Sequence, residues 1–230
     1  MRNTVDPKKL KKLDHTEPLK EKVYNTLLEN IVDGKLAPGA QLVERSIAAW
    51  LGVSKSPVRD ALHRLNGDGL VVSLPFRGFT VSPMSTREFI DLMQVRMAIE
   101  LFCLEQKIDS YSDGDVGEFS ETMERAGKFL EGGRDRLAHD QHLDFHCLLV
   151  RKFGNELMTG LYDINRKKLK RYLRTNVSQT PERIRISHQY HIRLLDAVKR
   201  RDKAAALLQL KGHFADIQQA YLERSEQGRG

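Results

Sequence analysis

A chain of 230 residues, 40% hydrophobic and 30% charged, has room for one large domain or two small ones and is too balanced for a collagen-like or disordered polymer. No apolar run reaches membrane-spanning length, and the basic stretch from Met1 to Leu13 lacks the apolar segment that a secretory signal carries behind it. The net charge of +7 is denser near the N-terminus, with 13 Lys/Arg against 9 Asp/Glu in residues 1–83 and 25 against 22 in residues 84–230, a balance that suits a polyanionic partner and equally an ordinary surface. Cys103 and Cys147 form neither a disulfide framework nor a zinc spacing, which points to a reducing, cytoplasmic setting.

Residues 1–17 mix Lys, Pro, Asp and Thr without a period and read as a flexible basic arm. Residues 18–82 read as a first domain. Leu19, Val23, Leu27, Leu28 and Ile31 recur at helical spacing and predict a helix from about Leu19 to Val32, stopped by Asp33-Gly34. Val43, Ile47, Ala48 and Leu51 mark a second, short helix broken by Gly52. Ser54 is placed to cap a third, which turns Val58, Ala61, Leu62 and Leu65 inward. Leu70–Leu74 and Phe79–Ser82 then predict two strands joined through Pro75-Phe76-Arg77-Gly78. Beyond Pro83, nearly everything from Thr86 to Arg224 has helical periodicity. Breaks near Ser110–Gly114, Glu131–Arg134, Gly154-Asn155, Ser178–Pro181 and Arg201-Asp202 divide it into about six helices, an all-helical domain over residues 84–226. The expected fold class is therefore mainly α: an N-terminal winged helix-turn-helix followed by an all-α helical bundle.

In a helix-turn-helix the second helix of the pair enters the major groove with its N-terminal side chains at base edges. Here those side chains are Lys55, Ser56 and Arg59, with Lys55 and Arg59 four apart on one face. Arginine matches the two major-groove acceptors of guanine, whereas serine and backbone amides suit phosphate. Arg59 has a structural alternative in an ion pair with Asp60 or Glu44. The stretch DGKLAPGAQLVERSIAAWLGVSKSPVRDALHRLNGDGLV, followed by RGFTV, resembles the DNA-binding domain of the GntR family of transcription regulators along its whole length. The resemblance implies DNA contacts by Arg45, Lys55 and Arg59, backbone contacts by Ser54 and Ser56, and Gly78 at the wing tip. The family position usually held by Arg is Lys55 here, which keeps the charge and loses the bidentate fork.

Six of the eight histidines lie in residues 139–213. His142 and His146 are four apart on one helix, half of a metal site by spacing, while His191 and His213 fall on later helices. His139 and His188 read as surface or core residues. DFHCLLVRKFGN and YHIRLLDAVKRRDKAAALLQLKGHF resemble the helical ligand domain of the FadR-type branch, called FCD. That resemblance puts His146, His191 and His213 on three metal-ligand positions and His142 where the family has Asp, so it implies a four-histidine site for a divalent transition metal, zinc or nickel. Arg96 and Glu100 resemble an R-x-x-x-E in the domain's first helix. Arg96 is a candidate for an effector carboxylate, with an internal ion pair to Glu100 as the alternative. The basic run Arg166–Arg171 reads as a solvated face.

The function implied is a regulator, not an enzyme. A homodimer binds a double-stranded operator, and a small carboxylate effector in the metal-containing helical domain shifts DNA affinity, with no membrane partner. A direct metal sensor is the first alternative. A metal-dependent enzyme is the second, disfavoured because no H-E-x-x-H is present and no acid stands beside the histidine pair.

Overall fold

Apolar side chains at helical spacing give the chain most of its structure. The computed structural model describes residues 18–75, 77–175 and 180–227, so the basic arm assigned to residues 1–17 lies outside the described residues. The chain divides into two units, one of residues 1–85 with 170–175, the other of residues 86–169 with 176–230.

In the first unit, helices α1 (Leu19–Val32), α2 (Glu44–Leu51) and α3 (Lys55–Gly67) pack with strands β1 (Gln41–Leu42), β2 (Val71–Leu74) and β3 (Gly78–Val81). Val23, Leu27, Ile31, Leu62, Leu65 and Val81 meet in a core from which water is shut out. Gly52 closes α2 at φ 69°, a left-handed conformation that keeps the α2–α3 turn short. Val43, expected on the buried stripe of α2, is 37% exposed and stands at the N-cap instead. The sheet is antiparallel in the order β1-β3-β2, with Gln41 opposite Thr80 and Ser73 opposite Phe79. The two-stranded wing thus gains a third strand that the sequence did not signal, because two residues are too few to show alternation. Residues 170–175 also belong here: Arg171 Nη2 donates to the Ser82 carbonyl at 2.6 Å, and the Ser85 amide donates to Tyr172 Oη at 2.9 Å.

The second unit is helical. It holds α4 (Thr86–Lys107), a 3-10 turn at Ile108–Ser110, α5 (Asp113–Glu131), α6 (Asp135–Phe153), α7 (Glu156–Thr175, to its Leu169), α8 (Pro181–Lys199) and α9 (Lys203–Gln227). Ser112 and Asp115 form a reciprocal capping box that starts α5, and Thr180 caps α8 ahead of Pro181. Phe89, Leu104, Phe119, Phe145 and Leu149 are fully buried. The basic run is not a free face: Arg166 pairs with Asp144 at 3.0 Å and Lys168 with Glu88 at 3.5 Å. No helix among the described residues is long and apolar enough to cross a membrane.

Candidate functional site

Three imidazoles meet inside the helical unit. His146 on α6 points Nε2 at His191 Nε2 of α8 (2.8 Å) and at His213 Nε2 of α9 (3.2 Å), and all three ligand atoms lie within 4.8 Å of one another. None of the three residues is more than 3% exposed. The outer nitrogens fix the tautomers. His191 Nδ1 donates to the Ser187 carbonyl at 2.6 Å, and His146 Nδ1 donates to Glu100 Oε2 at 2.6 Å. Each of those Nε2 atoms therefore presents a lone pair to the other.

Protonation does not relieve that opposition. Burial holds the pKa values of His146, His191 and His213 well below the ordinary imidazole range, and neighbouring cationic groups, Arg96 among them, push the same way. Converging neutral lone pairs are what a cation satisfies. Nitrogens bound at about 2.0–2.1 Å to one divalent ion would stand roughly 2.9–3.4 Å apart, close to the spacings here.

Behind the imidazoles lies a fixed network. Glu100 on α4 accepts from Arg96 Nε at 2.7 Å and from Tyr162 Oη of α7 at 2.6 Å, both at Oε1, and uses Oε2 for His146. Burial raises the Glu100 pKa, and the Arg96 guanidinium and the Tyr162 hydroxyl act against it. Arginine keeps its proton in proteins, so the buried pair is neutral overall only with Glu100 ionised. A carboxylate donor-acceptor link behind a histidine is the arrangement that orients metal ligands and raises their basicity. Arg96 Nη2 is buried and has no hydrogen-bond partner among the described residues.

His142 is not in the converging group. It is 2% exposed and stacks on His191 with ring centroids 4.4 Å apart, but its Nε2 lies 3.0 Å from His188 Nδ1. The i, i+4 spacing put it on the correct face, and the stacked ring is turned toward a histidine that spacing alone had assigned to surface or core. Arg96 makes the internal pair with Glu100 that its sequence position left as the alternative to an effector role. The bonds from Glu100 to His146 and Tyr162 span 46 and 62 positions, so no local pattern announces them.

The first unit presents a different kind of site. Arg45, Ser54, Lys55, Ser56 and Arg59 are all exposed, on α2 and at the start of α3. Ser54 stands at the N-cap of α3 without bonding the helix, so its hydroxyl is open to other acceptors and donors. Gly78 begins β3 at φ 73°, on the turn of the wing. Arg59 is held by Glu44 through bonds of 2.9–3.1 Å, the ion-pair alternative that its sequence position allowed.

Two family models match the chain. Residues 19–81 match that of the bacterial regulatory proteins of the gntR family, and residues 91–216 match the FCD domain. The chain belongs to the GntR family, in its FadR-type, FCD-containing branch. This GntR regulator is 26% identical over 204 residues to the uncharacterized HTH-type transcriptional regulator YdhC of Bacillus subtilis, covering 88% of the present chain and 91% of YdhC. It is likewise 26% identical over 193 residues to the HTH-type transcriptional regulator McbR of Escherichia coli, covering 79% and 82%. The solved structure of E. coli McbR/YncC superposes with a TM-score of 0.77 at 23% identity, covering 90% and 99%, which shows a shared fold. The metal-free FCD domain of TM0439 superposes with a TM-score of 0.53 at 22% identity, covering 64% and 99%. The family places this GntR protein among DNA-binding transcription regulators, with a helix-turn-helix unit and a helical FCD unit.

Proposed function

We propose that this GntR protein is a cytoplasmic, homodimeric, non-enzymatic regulator whose operator affinity is set by a small carboxylate effector bound beside a divalent transition metal, zinc or nickel, in the FCD unit. Residues 18–82 form the DNA-binding domain in this scheme, and residues 84–226 the effector and dimerisation domain. The observation that carries it is the convergence of the His146, His191 and His213 Nε2 atoms, two of them with outer nitrogens committed to donors' roles. That a relative's FCD domain is described as metal-free fits a domain in which metal binding is an issue.

When bound, the ion supplies a Lewis-acidic position for an anionic oxygen. The chain's own residues do the rest. The three imidazoles form a neutral donor set, Glu100 and Ser187 hold two of them in register, and the unpartnered Arg96 Nη2 offers a buried cationic donor to the same anion. Arg45, Lys55 and Arg59 face the bases, Ser54 and Ser56 the phosphates, and Gly78 lets the wing approach the minor groove. The second copy is seated on an apolar face: Leu157, Leu161 and Ile164 on α7 are 75%, 55% and 40% exposed, and Phe102 on α4 is 47% exposed beside Phe153. Dimerisation pairs two recognition helices for a two-fold site.

The test is elemental analysis of wild type, His146→Ala and His191→Ala, with melting curves before and after chelation. Wild type should hold about one divalent ion per chain. At free metal a hundredfold above its dissociation constant the fold should gain about 2.7 kcal/mol, and both variants should lose that gain. A metal-supplemented wild type that holds no stoichiometric ion would refute the centre. If DNA affinity follows zinc or nickel alone and ignores carboxylates, the ion itself is the signal.

A further inference from the structure

Among the described residues, Arg59 is the one proposed DNA contact whose side chain is bonded to another side chain of the protein. Its Nε lies 3.1 Å from both carboxylate oxygens of Glu44, and its Nη2 lies 2.9 Å from Glu44 Oε2. Glu44 is the first residue of α2, Arg59 the fifth of α3, so the bond crosses the helix-turn-helix. The Glu44 side chain is 23% exposed and the Arg59 side chain 59%, so the anchored partner is the acid and the presented one is the base. The Arg59 side chain makes no other hydrogen bond among the described residues.

A guanidinium has five N–H groups on three edges. Glu44 takes the edge formed by Nε and one hydrogen of Nη2. The end edge, formed by Nη1 and the remaining hydrogen of Nη2, is left whole. That end edge is a parallel pair of donors, the shape that meets O6 and N7 of one guanine. We infer that Glu44 is the specificity-determining positioning residue of the DNA-binding unit: it clamps Arg59 so that only the end-on fork faces the major groove, which restricts that position of the operator to guanine.

Two consequences follow from charge and entropy. A clamped fork has lost its rotamer freedom before DNA arrives, so the base pair costs less ordering. A carboxylate close to the groove repels phosphate, so it lowers binding to every sequence while the fork rewards only one. Glu44 should therefore raise the ratio of specific to non-specific affinity without raising non-specific affinity itself. A mask on Arg59 would do the reverse, since its removal would strengthen binding to the specific site most of all.

The inference rests on the proposal that Arg59 reads a base, and the experiment separates the two. Wild-type full-length protein is first used to select its preferred duplex from a random pool. Wild type, Glu44→Ala, Glu44→Asp and Arg59→Ala are then titrated at one salt concentration on three probes: the selected duplex, single-base-pair variants of it, and the selected duplex with 7-deazaguanine at each guanine in turn. Melting curves check that the variants fold. For wild type, one guanine per half-site should matter, with a loss of roughly tenfold to hundredfold on replacement and a smaller loss with the deaza base. Arg59→Ala should erase both losses. Glu44→Ala should shrink both at that same guanine, with scrambled-duplex affinity equal or higher, and Glu44→Asp should restore part of the selectivity. If Arg59→Ala keeps the guanine preference, the base-reading role fails and the clamp with it. If Arg59→Ala loses it and Glu44→Ala keeps it in full, the clamp alone is overturned. A Glu44→Ala protein that binds the selected duplex more tightly and more selectively than wild type would show a mask instead.

Discussion

Each unit of the molecule contains an arginine–glutamate pair, and the two pairs live in opposite surroundings. Arg96 and Glu100, on one helix of the C-terminal unit, are 3% and 0% exposed at the side chain and share their charges with His146 and Tyr162. Arg59 and Glu44, on two helices of the N-terminal unit, are 59% and 23% exposed. Identical chemistry thus has unlike consequences. A buried pair is costly to desolvate and costlier to break, so it holds a site in one geometry. An exposed pair is screened by water and adds little to stability, so it can orient a side chain without holding the fold together. The contrast extends to the whole of each site: the proposed DNA contacts are exposed and drawn from residues 45–78, whereas the histidine cluster is buried and drawn from residues up to 67 positions apart.

The strongest way to break the comparison is to remove one charge from each pair. Glu100→Gln leaves Arg96 buried without its counterion and leaves a single carbonyl oxygen to serve Arg96, Tyr162 and His146, so denaturant unfolding should show a loss of about 3–5 kcal/mol. Glu44→Gln should leave the unfolding midpoint where it is. Equal effects, in either direction, would mean that burial does not distinguish the two units as described.

Thiol chemistry sharpens the same point at a second level. Burial raises the pKa of Cys103 to about 11 and that of Cys147 to about 11, Glu100 adding to the effect on Cys103. At pH 8 the thiolate fraction of each should be about a hundredfold or more below that of a free cysteine. Alkylation of the native protein, followed by mass spectrometry, should leave both thiols unmodified until the helical unit opens. In Glu100→Gln, Cys103 should label first, since it lies one turn from the broken pair. Rapid labelling of the native wild type would show that this core is open to solvent.

The smallest effect on the fold, and a decisive one on assembly, is expected at the exposed face of α7. Leu161→Lys replaces a side chain that is 55% exposed, so stability should change by no more than about 0.5 kcal/mol. Sedimentation should nonetheless shift from dimer to monomer at micromolar concentration. A variant that still sediments as a dimer would place the second copy elsewhere.

Much of this protein is legible along the chain. Helix α1 was expected from about Leu19 to Val32 and spans those residues, and the breaks at Gly154-Asn155 and Arg201-Asp202 fall between observed helices. Hydrophobic periodicity, glycine stops and caps are local, so a linear reading captures them. The family match over residues 19–81 and 91–216 agrees with the motifs quoted for both halves. The helix-turn-helix was legible for the same reason: α2, its tight turn and α3 are contiguous.

Tertiary structure alone decided the rest. Spacing placed His142 beside His146, and it could not show that the His142 ring stacks on His191 and turns to His188. Nor could it show that Glu100 bonds a histidine on α6 and a tyrosine on α7, or that residues 170–175 belong with the N-terminal unit. A helical period fixes which face a side chain occupies. The torsion of that side chain, and the residue it meets from another helix, depend on how the helices pack, and packing is settled by contacts far apart in sequence.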